Sequence, residues 1–481
     1  LHVRSRRQRQ MCIRDSYSRG WQRTDNTNNF LSFFATFAYS FKNRYVVNAN
    51  VRNDASNVFG QDINHRIDPT YSFGLSWRAS EEAFFQKHLK WITTLNFRGT
   101  FGIQGNALTR ESPELILSQQ GVQPGYNRYF STIGQIPNPY LSWERTRNWN
   151  FGVDLELFRM FYMNLEYYTR RSNAVITVDL PFEYGIDDMK RNGGIIYNRG
   201  IEYTLSFTPI QKRDFSLNIN LNASKNWNKG GETKIDRNTA MYLRGGSTQI
   251  LKEGYPLSAF WSYSFAGLDG SNGKPMFNYV EVPDEEKSKS IDPTTYLVYS
   301  GETEPYFTGG LGFSFRYKSL SLNTSFSLLL GSKKRLPSPY SDFQGSGSMM
   351  PDPTKNVNRD LLNRWQKPGD EVYTNIPGLP TWPIEIGWTL PNTDSAESAI
   401  EMWEKSDAMV VSGSFLRCRN IGLSWQMKKE WCDKIHAKNL AINFNMDNIF
   451  VIASKRFNGF DPELENSIMP RSFSLGLNIG F

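Results

Sequence analysis

The sequence predicts an all-β protein, a transmembrane antiparallel β-barrel with long extracellular loops and short periplasmic turns, and three observations carry the prediction. The first is period-two alternation, which in a strand sends successive side chains to opposite faces. At the C-terminus Phe473, Leu475, Leu477, Ile479 and Phe481 alternate with Ser472, Ser474, Gly476, Asn478 and Gly480, so one face is apolar and the other small and polar. The second is composition: 14% aromatic residues and 37 Gly accompany a mean hydropathy of −0.52. No run of about 18 apolar residues occurs, which excludes a helical membrane protein. A barrel fits, because only alternate strand residues meet lipid while their neighbours face a wet lumen. The third is the order of connections, which are short and long by turns along the chain.

Taken in order, strands are expected at 31–41, 44–54, 69–79, 90–103, 146–158, 160–171, 199–208, 214–227, 238–251, 257–267, 308–317, 319–330, 413–427, 437–449 and 471–481, about fifteen in all. Tyr45, Val47, Ala49 and Val51 give the second its apolar face; Tyr71, Phe73, Leu75 and Trp77 do so for the third. Trp149, Phe151, Val153, Leu155 and Leu157 repeat the pattern, as do Phe215 to Leu221, Leu311 to Tyr317 and Leu440 to Met446. Short turns are expected at Lys42-Asn43, Ser80 to Leu89, Arg159, Pro209 to Arg213, Lys252 to Pro256, Lys318 and Lys428 to His436, with a longer loop between each consecutive pair. If the C-terminus is periplasmic, counting strands backward puts every short turn in the periplasm and every long loop outside. The segments 238–251 and 257–267 alternate most weakly and are placed partly to keep that parity.

The net charge is +8. Lys and Arg are scattered, and no zinc-finger spacing or RNP-type strand accompanies them, so no nucleic-acid partner is expected. Arg4, Arg6, Arg7, Arg9 and Arg14 crowd the N-terminus, and Arg6 to Asp15 is what translation of CGT CGG CAG CGT CAG ATG TGT ATA AGA GAC yields, a resemblance to a transposon-based sequencing adapter. Residues 1–16 are therefore expected to be foreign, with 17–481 the native barrel portion entered partway along its gene. Cys12 falls in the foreign segment; Cys418 and Cys432 lack metal-ligand spacing and read as incidental. The histidines are His2, His65, His88 and His436, and no H-E-x-x-H, G-x-S-x-G or P-loop is present. Neither enzymatic activity nor a metal or cofactor is expected. Glu81-Glu82 and Asp187-Asp188 read as solvated charge, and Asp461-Pro462-Glu463 as either a cation ligand or an Asp-Pro-capped turn.

A series of segments stands out in order along the chain: Arg44-Tyr45 through Arg52-Asn53-Asp54-Ala55-Ser56 with Phe59-Gly60; Ser76-Trp77-Arg78; Gly102-Ile103-Gln104-Gly105-Asn106; Leu141-Ser142-Trp143-Glu144; Asn198-Arg199-Gly200-Ile201-Glu202; Arg364-Trp365 with Lys367-Pro368-Gly369-Asp370; Gly413-Ser414-Phe415-Leu416-Arg417; and Asn445 to Phe450. Together they resemble the SusC/RagA family of TonB-dependent outer-membrane importers. The resemblance covers nearly everything after residue 16. It implies a barrel of about 22 strands, of which roughly seven, with a plug and a TonB-contacting segment, lie outside this sequence. It also implies import of oligosaccharides or peptides together with a SusD-like surface lipoprotein, the TonB complex and the barrel-assembly machinery. Where the family carries an acidic, calcium-like stretch, this chain has only Asp269-Gly270-Ser271-Asn272-Gly273-Lys274. The rival functions are a passive porin-like channel and a soluble carbohydrate-binding β protein.

Aromatics that stand outside the alternation mark the candidate contact surface. Tyr126, Tyr129, Trp143, Trp365, Tyr373, Trp382, Trp388 and Trp403 are the expected substrate or lid contacts, with Phe130 and Tyr140 beside them. Aromatic faces suit sugar rings and peptide side chains; loop packing or an interfacial belt is the plainer alternative. The segment 331–412 is the main expected contact region. Phe481 ends an amphipathic strand and resembles a barrel-assembly signal, or serves as a lipid-facing girdle residue.

Overall fold

The computed structural model describes residues 29–56, 67–106, 115–233, 240–245, 251–278, 293–340, 354, 356–379, 386–388 and 397–481, apart from 124, 127, 139, 181, 187, 465 and 466. Thirteen strands form one antiparallel meander: β1 Phe30–Phe41, β2 Tyr45–Ser56, β3 Ile67–Arg78, β4 Ile92–Asn106, β5 Glu144–Leu157, β6 Phe161–Asp179, β7 Asp188–Gln211, β8 Phe215–Gly230, β9 Phe307–Tyr317, β10 Leu320–Leu330, β11 Phe415–Gln426, β12 Asn439–Ile452 and β13 Ser472–Gly480. Each pairs with its neighbours in sequence, and β1 and β13 pair on one side only among the described residues. The wall is therefore an open arc of a barrel.

Among the described residues, this wall has no dry core of its own. Leu75, Phe151 and Leu477 on its outward face are 52%, 52% and 59% exposed. Leaving such side chains in water forfeits about 1.5–3 kcal/mol each, so the face needs lipid as its solvent. The inward face is polar: Asn48, Asn50, Thr70, Ser72, Asn218, Asn220, Asn222, Ser314, Asn323, Asn443 and Asn445 occupy the positions between the apolar ones. A charge cluster on it is paired, with Arg98 Nη2 3.3 Å from Asp154 and 2.8 Å from Glu166, while Asn164 donates to Asp154 at 2.7 Å.

The turns explain the tight connections. Arg44 N–H donates to Phe41 O and Met160 N–H to Leu157 O, each at 3.0 Å. The residues between them, Lys42 and Asn43 in one case and Phe158 and Arg159 in the other, all have positive φ, the conformation that matches the strand twist of a hairpin.

Thirteen of the expected strands join the wall; the segments at 238–251 and 257–267 do not. Ala240–Leu243 is a helical turn, and residues 246–250 lie outside the described residues. Ala259–Tyr263 pairs with Leu297–Glu302, and Phe265–Leu268 with Pro275–Phe277, in separate two-stranded sheets. The physical reason is burial: every residue of Ala259–Tyr263 is buried, whereas a wall strand shows one face to lipid and the other to the lumen. The turn expected at Lys252 to Pro256 accordingly lies inside a long loop. Because the two segments leave as a pair, the order of connections at the two ends of the wall is kept, but the strict alternation of length is not: the strands run on beyond their expected ends, so that 57–66 and 180–187 are shorter than 79–91 and 427–438. The turns expected to be short fall at 42–44, 79–91, 158–160, 212–214, 318–319 and 427–438, all at one end of the wall.

Candidate substrate and lid contact surface

At the opposite end, the described parts of the loops 231–306 and 331–414 fold together. Leu243, Ala259, Trp261, Tyr263, Leu297 and Met402 form one buried cluster; Tyr340, Leu361, Ile400, Trp403 and Met409 form a second. Phe277 packs against both. The helix Ala399–Glu404 holds them together, because Met402 enters the first cluster while Ile400 and Trp403 enter the second. Its start is fixed by a capping box in which Ser398 and Glu401 satisfy each other's backbone N–H groups.

Arg335 pins the two loops. Its guanidinium donates to Arg244 O at 2.8 Å, Trp261 O at 3.0 Å and Ser262 Oγ at 3.1 Å, and it lies 5.0 Å from the Phe260 ring centroid. Burial, aided by the neighbouring Arg244 charge, pulls its pKa down to about 10. Burial likewise pushes the Tyr340 phenol up; that hydroxyl donates to Pro377 O.

Trp365 is a half-buried wedge. Its indole N–H donates to Glu371 at 3.2 Å, and its ring lies where a Cβ on Gly273 would stand, at 2.3 Å. The following residues cap themselves: Asp370 Oδ2 accepts from the N–H groups of Gln366 and Lys367 at 3.0 Å each, and Gly369 takes φ +99°. Hydrogen bonds from its own N–H, from the Trp365 indole and from the Gly369 N–H hold the Glu371 carboxyl below the usual range. Asp269 is held low in the same way, by the Ser271 hydroxyl first and then its N–H. Asp269 oxygens accept from Ser271 N, Ser271 Oγ and Asn272 Nδ2 at 2.8, 2.7 and 3.2 Å, so the 269–274 turn is closed on donors of its own.

The Asp461-Pro462-Glu463 turn is also committed internally. Arg417, 1% exposed, donates to both Asp461 oxygens at 2.7 and 2.6 Å, and its Nε stands 2.8 Å from Glu463. Arg419 reaches Glu463 at 2.8 Å. These contacts tie the last long loop to the root of β11, and of the two readings open in the sequence they favour the turn.

The expected contact residues thus divide. Tyr126, Tyr129 and Tyr373 are 75%, 72% and 89% exposed, and Tyr140 is exposed beside them. Tyr129 and Phe130 lie on a hairpin of Ile116–Gln123 and Arg128–Gln135 that the alternation did not reveal. Trp143 and Trp403 are buried, at 8% and 1%; Trp403 meets Tyr340 edge-on at 6.2 Å. Both present almost no surface to a ligand: Trp403 is taken up by the lobe's second buried cluster, and Trp143 is buried at the root of β5. Trp388 ends the short strand Ile386–Trp388, and Trp382 lies outside the described residues. Phe481 is exposed just beyond β13. Leu362 and Val372, exposed on the same segment as Tyr373, escaped sequence reasoning because no alternation flags an apolar loop residue. Arg335 and Arg417 escaped it because nothing local marks an arginine as buried.

Known proteins match this arrangement. The family described as TonB dependent receptor-like, beta-barrel matches residues 9–328. TonB-dependent receptor P3 of Formosa agariphila is 23% identical across 95% of this chain and 46% of its own length. TonB-dependent receptor SusC of Bacteroides thetaiotaomicron is 25% identical across 94% of this chain and 44% of its own length. Among solved structures, the RagAB peptide transporter superposes with a TM-score of 0.72 at 23% identity, over 94% of this chain and 48% of that one. The open-open state of the RagAB peptide importer gives 0.70 at 22% identity, over 94% and 47%. The chain spans about half the length of the relatives it matches.

Proposed function

This chain belongs to the TonB-dependent receptor β-barrel family and is outer-membrane barrel wall of the SusC/RagA type, and on that premise we propose that the intact protein imports oligosaccharides or peptides under TonB power. The observation that carries the reading is the lobe built from loops 231–306 and 331–414. Its two buried clusters give a rigid platform, from which Tyr373, Val372 and Leu362 project. A passive channel gains nothing from a folded lobe at its outer end. An importer that receives cargo from a surface lipoprotein needs a firm docking face there, and the SusD-like lid is the proposed occupant. Tyr126 and Tyr129, exposed on a separate outer loop, are proposed as further contacts. The RagAB neighbour is described as a peptide importer, which keeps peptides beside glycans as the substrate class. TonB acts through segments that precede this stretch in the intact receptor, and residues 1–16 are proposed to be foreign to it.

The test is affinity purification of the intact receptor from outer membranes, with Tyr373→Ala and Tyr129→Ala beside the unmodified protein. Co-purification of a lipoprotein, weakened several-fold by the Tyr373 change, supports the reading. Import that persists in cells lacking TonB contradicts it and favours the channel. Sequencing the source locus upstream of the Tyr17 codon tests the foreign segment: continuity of those codons with the gene refutes it.

A further inference from the structure

The six short turns that close one end of the wall hold twelve Lys and Arg against five Asp and Glu. The loops 231–306 and 331–414 at the other end hold fifteen against twenty-two. The two ends of one barrel wall therefore carry opposite charge. Apart from Arg44, which pairs with Glu82 at 3.1 Å, none of the turn cations has an acidic partner within ion-pair distance among the described residues, and all but Arg44 are exposed.

These cations stand beside rings that face lipid. Lys42 lies 5.3 Å from the Phe41 centroid and Lys318 5.4 Å from that of Tyr317. The helix Lys429–Lys434 carries Trp431, whose ring meets the outward Trp425 at 5.9 Å. Trp91, at the end of another turn, stacks on Phe158 at 5.7 Å. Tryptophans and tyrosines of a membrane wall sit at headgroup depth. Amines next to them and one step further out stand at the level of lipid phosphates, where each contributes measurably to binding an anionic surface.

We propose that this basic collar is a docking surface for the anionic phospholipid headgroups of the periplasmic leaflet. The charges follow the rim of the wall from β1 to β12 and do not pool into one patch, which matches a lipid annulus better than the footprint of a single protein. The collar fixes the depth and tilt of the barrel from below, leaving the acidic lobe free at the outer face. The inference rests on the assignment of the short turns to the periplasm.

The experiment uses the intact receptor in detergent, incubated with equal amounts of phosphatidylglycerol and phosphatidylcholine, and retained lipid is quantified by mass spectrometry. The unmodified protein is expected to retain phosphatidylglycerol several-fold over phosphatidylcholine, with the preference falling as salt rises. The variant Lys428→Gln, Lys429→Gln, Lys434→Gln and Lys438→Gln is expected to lose on the order of tenfold in that preference, its folding checked by heat-dependent mobility on a gel. Equal retention of the two lipids by the unmodified protein overturns the proposal, as does an unchanged preference in the folded variant. Should the variant not fold, the lipid preference of the unmodified protein and its response to salt decide alone. Binding to purified peptidoglycan without lipid preference overturns it and assigns the collar to the cell wall. Failure of the periplasmic assignment shows separately, as labelling of the turns in intact cells.

Discussion

Gly273 and Gly369 lie in one loop cluster but face different surroundings, which makes them a matched pair. A Cβ on Gly273 meets the Trp365 ring at 2.3 Å at a backbone φ of +72°; on Gly369, at φ +99°, it meets nothing within 4 Å. Gly369→Ala should cost about 1–2 kcal/mol of conformational strain, and Gly273→Ala about 1–3 kcal/mol more for overpacking. Limited proteolysis of the lobe against temperature measures both, and equal effects contradict the wedge role of Trp365. Arg417→Ala should cost about 3–5 kcal/mol because Asp461 stays buried without its partner. The double change Arg417→Met, Asp461→Leu should recover most of that loss in a double-mutant cycle. The carboxyls of Glu371 and Asp269 are both held below their ordinary range. Their ionised forms therefore favour the folded loop, an effect present above the ordinary carboxylate range and lost as pH falls through the lowered values. Proteolysis within 359–379 should increase over that acid window, and a flat profile contradicts the assignment.

Among the elements, the alternation makes the sharpest claim. Phe313 faces outward and Ser314 inward on β9, near the middle of the wall. Phe313→Arg should destabilise the barrel by about 2–4 kcal/mol, whereas Ser314→Arg should cost less than about 1 kcal/mol. Unfolding in urea after reconstitution compares them, and equal costs contradict the assigned faces. Strands of this kind were readable from sequence because lipid and lumen impose a two-residue period on every wall strand. Ala259–Tyr263 was misplaced for the converse reason: it is buried on both faces, and its run Ala259-Phe260-Trp261-Ser262-Tyr263 has no two-residue alternation to say which sheet it joins. The hairpin bearing Tyr129 was missed because Ile116–Gln123 reads ILSQQGVQ, nearly without alternation. Of the candidate site, exposed Tyr373 and buried Trp403 look alike in sequence. Their difference arises from contacts such as that of Trp403 with Tyr340 and Leu361, too far apart in the chain for a local window to contain.

At the scale of the whole molecule, an open arc of thirteen strands, an acidic folded lobe and a basic rim describe one orientation across a membrane. A wall that buries no core must be finished by the rest of its barrel and by lipid, since open strand edges invite non-native pairing. Expressed alone, residues 17–481 should aggregate or be degraded, and a monodisperse, heat-modifiable preparation would count against that expectation. The orientation itself is tested most directly by cysteine labelling in intact cells. The native Cys418 and Cys432 are free but buried, and the receptor without added cysteines sets the background. Single cysteines at Tyr373 and at Lys212, placed in the intact receptor, are exposed to a membrane-impermeant maleimide. The account predicts that the cysteine at 373 reacts in intact cells and the one at 212 only after the outer membrane is permeabilised. Reaction at 212 in intact cells, with 373 protected, would reverse the wall and contradict the account.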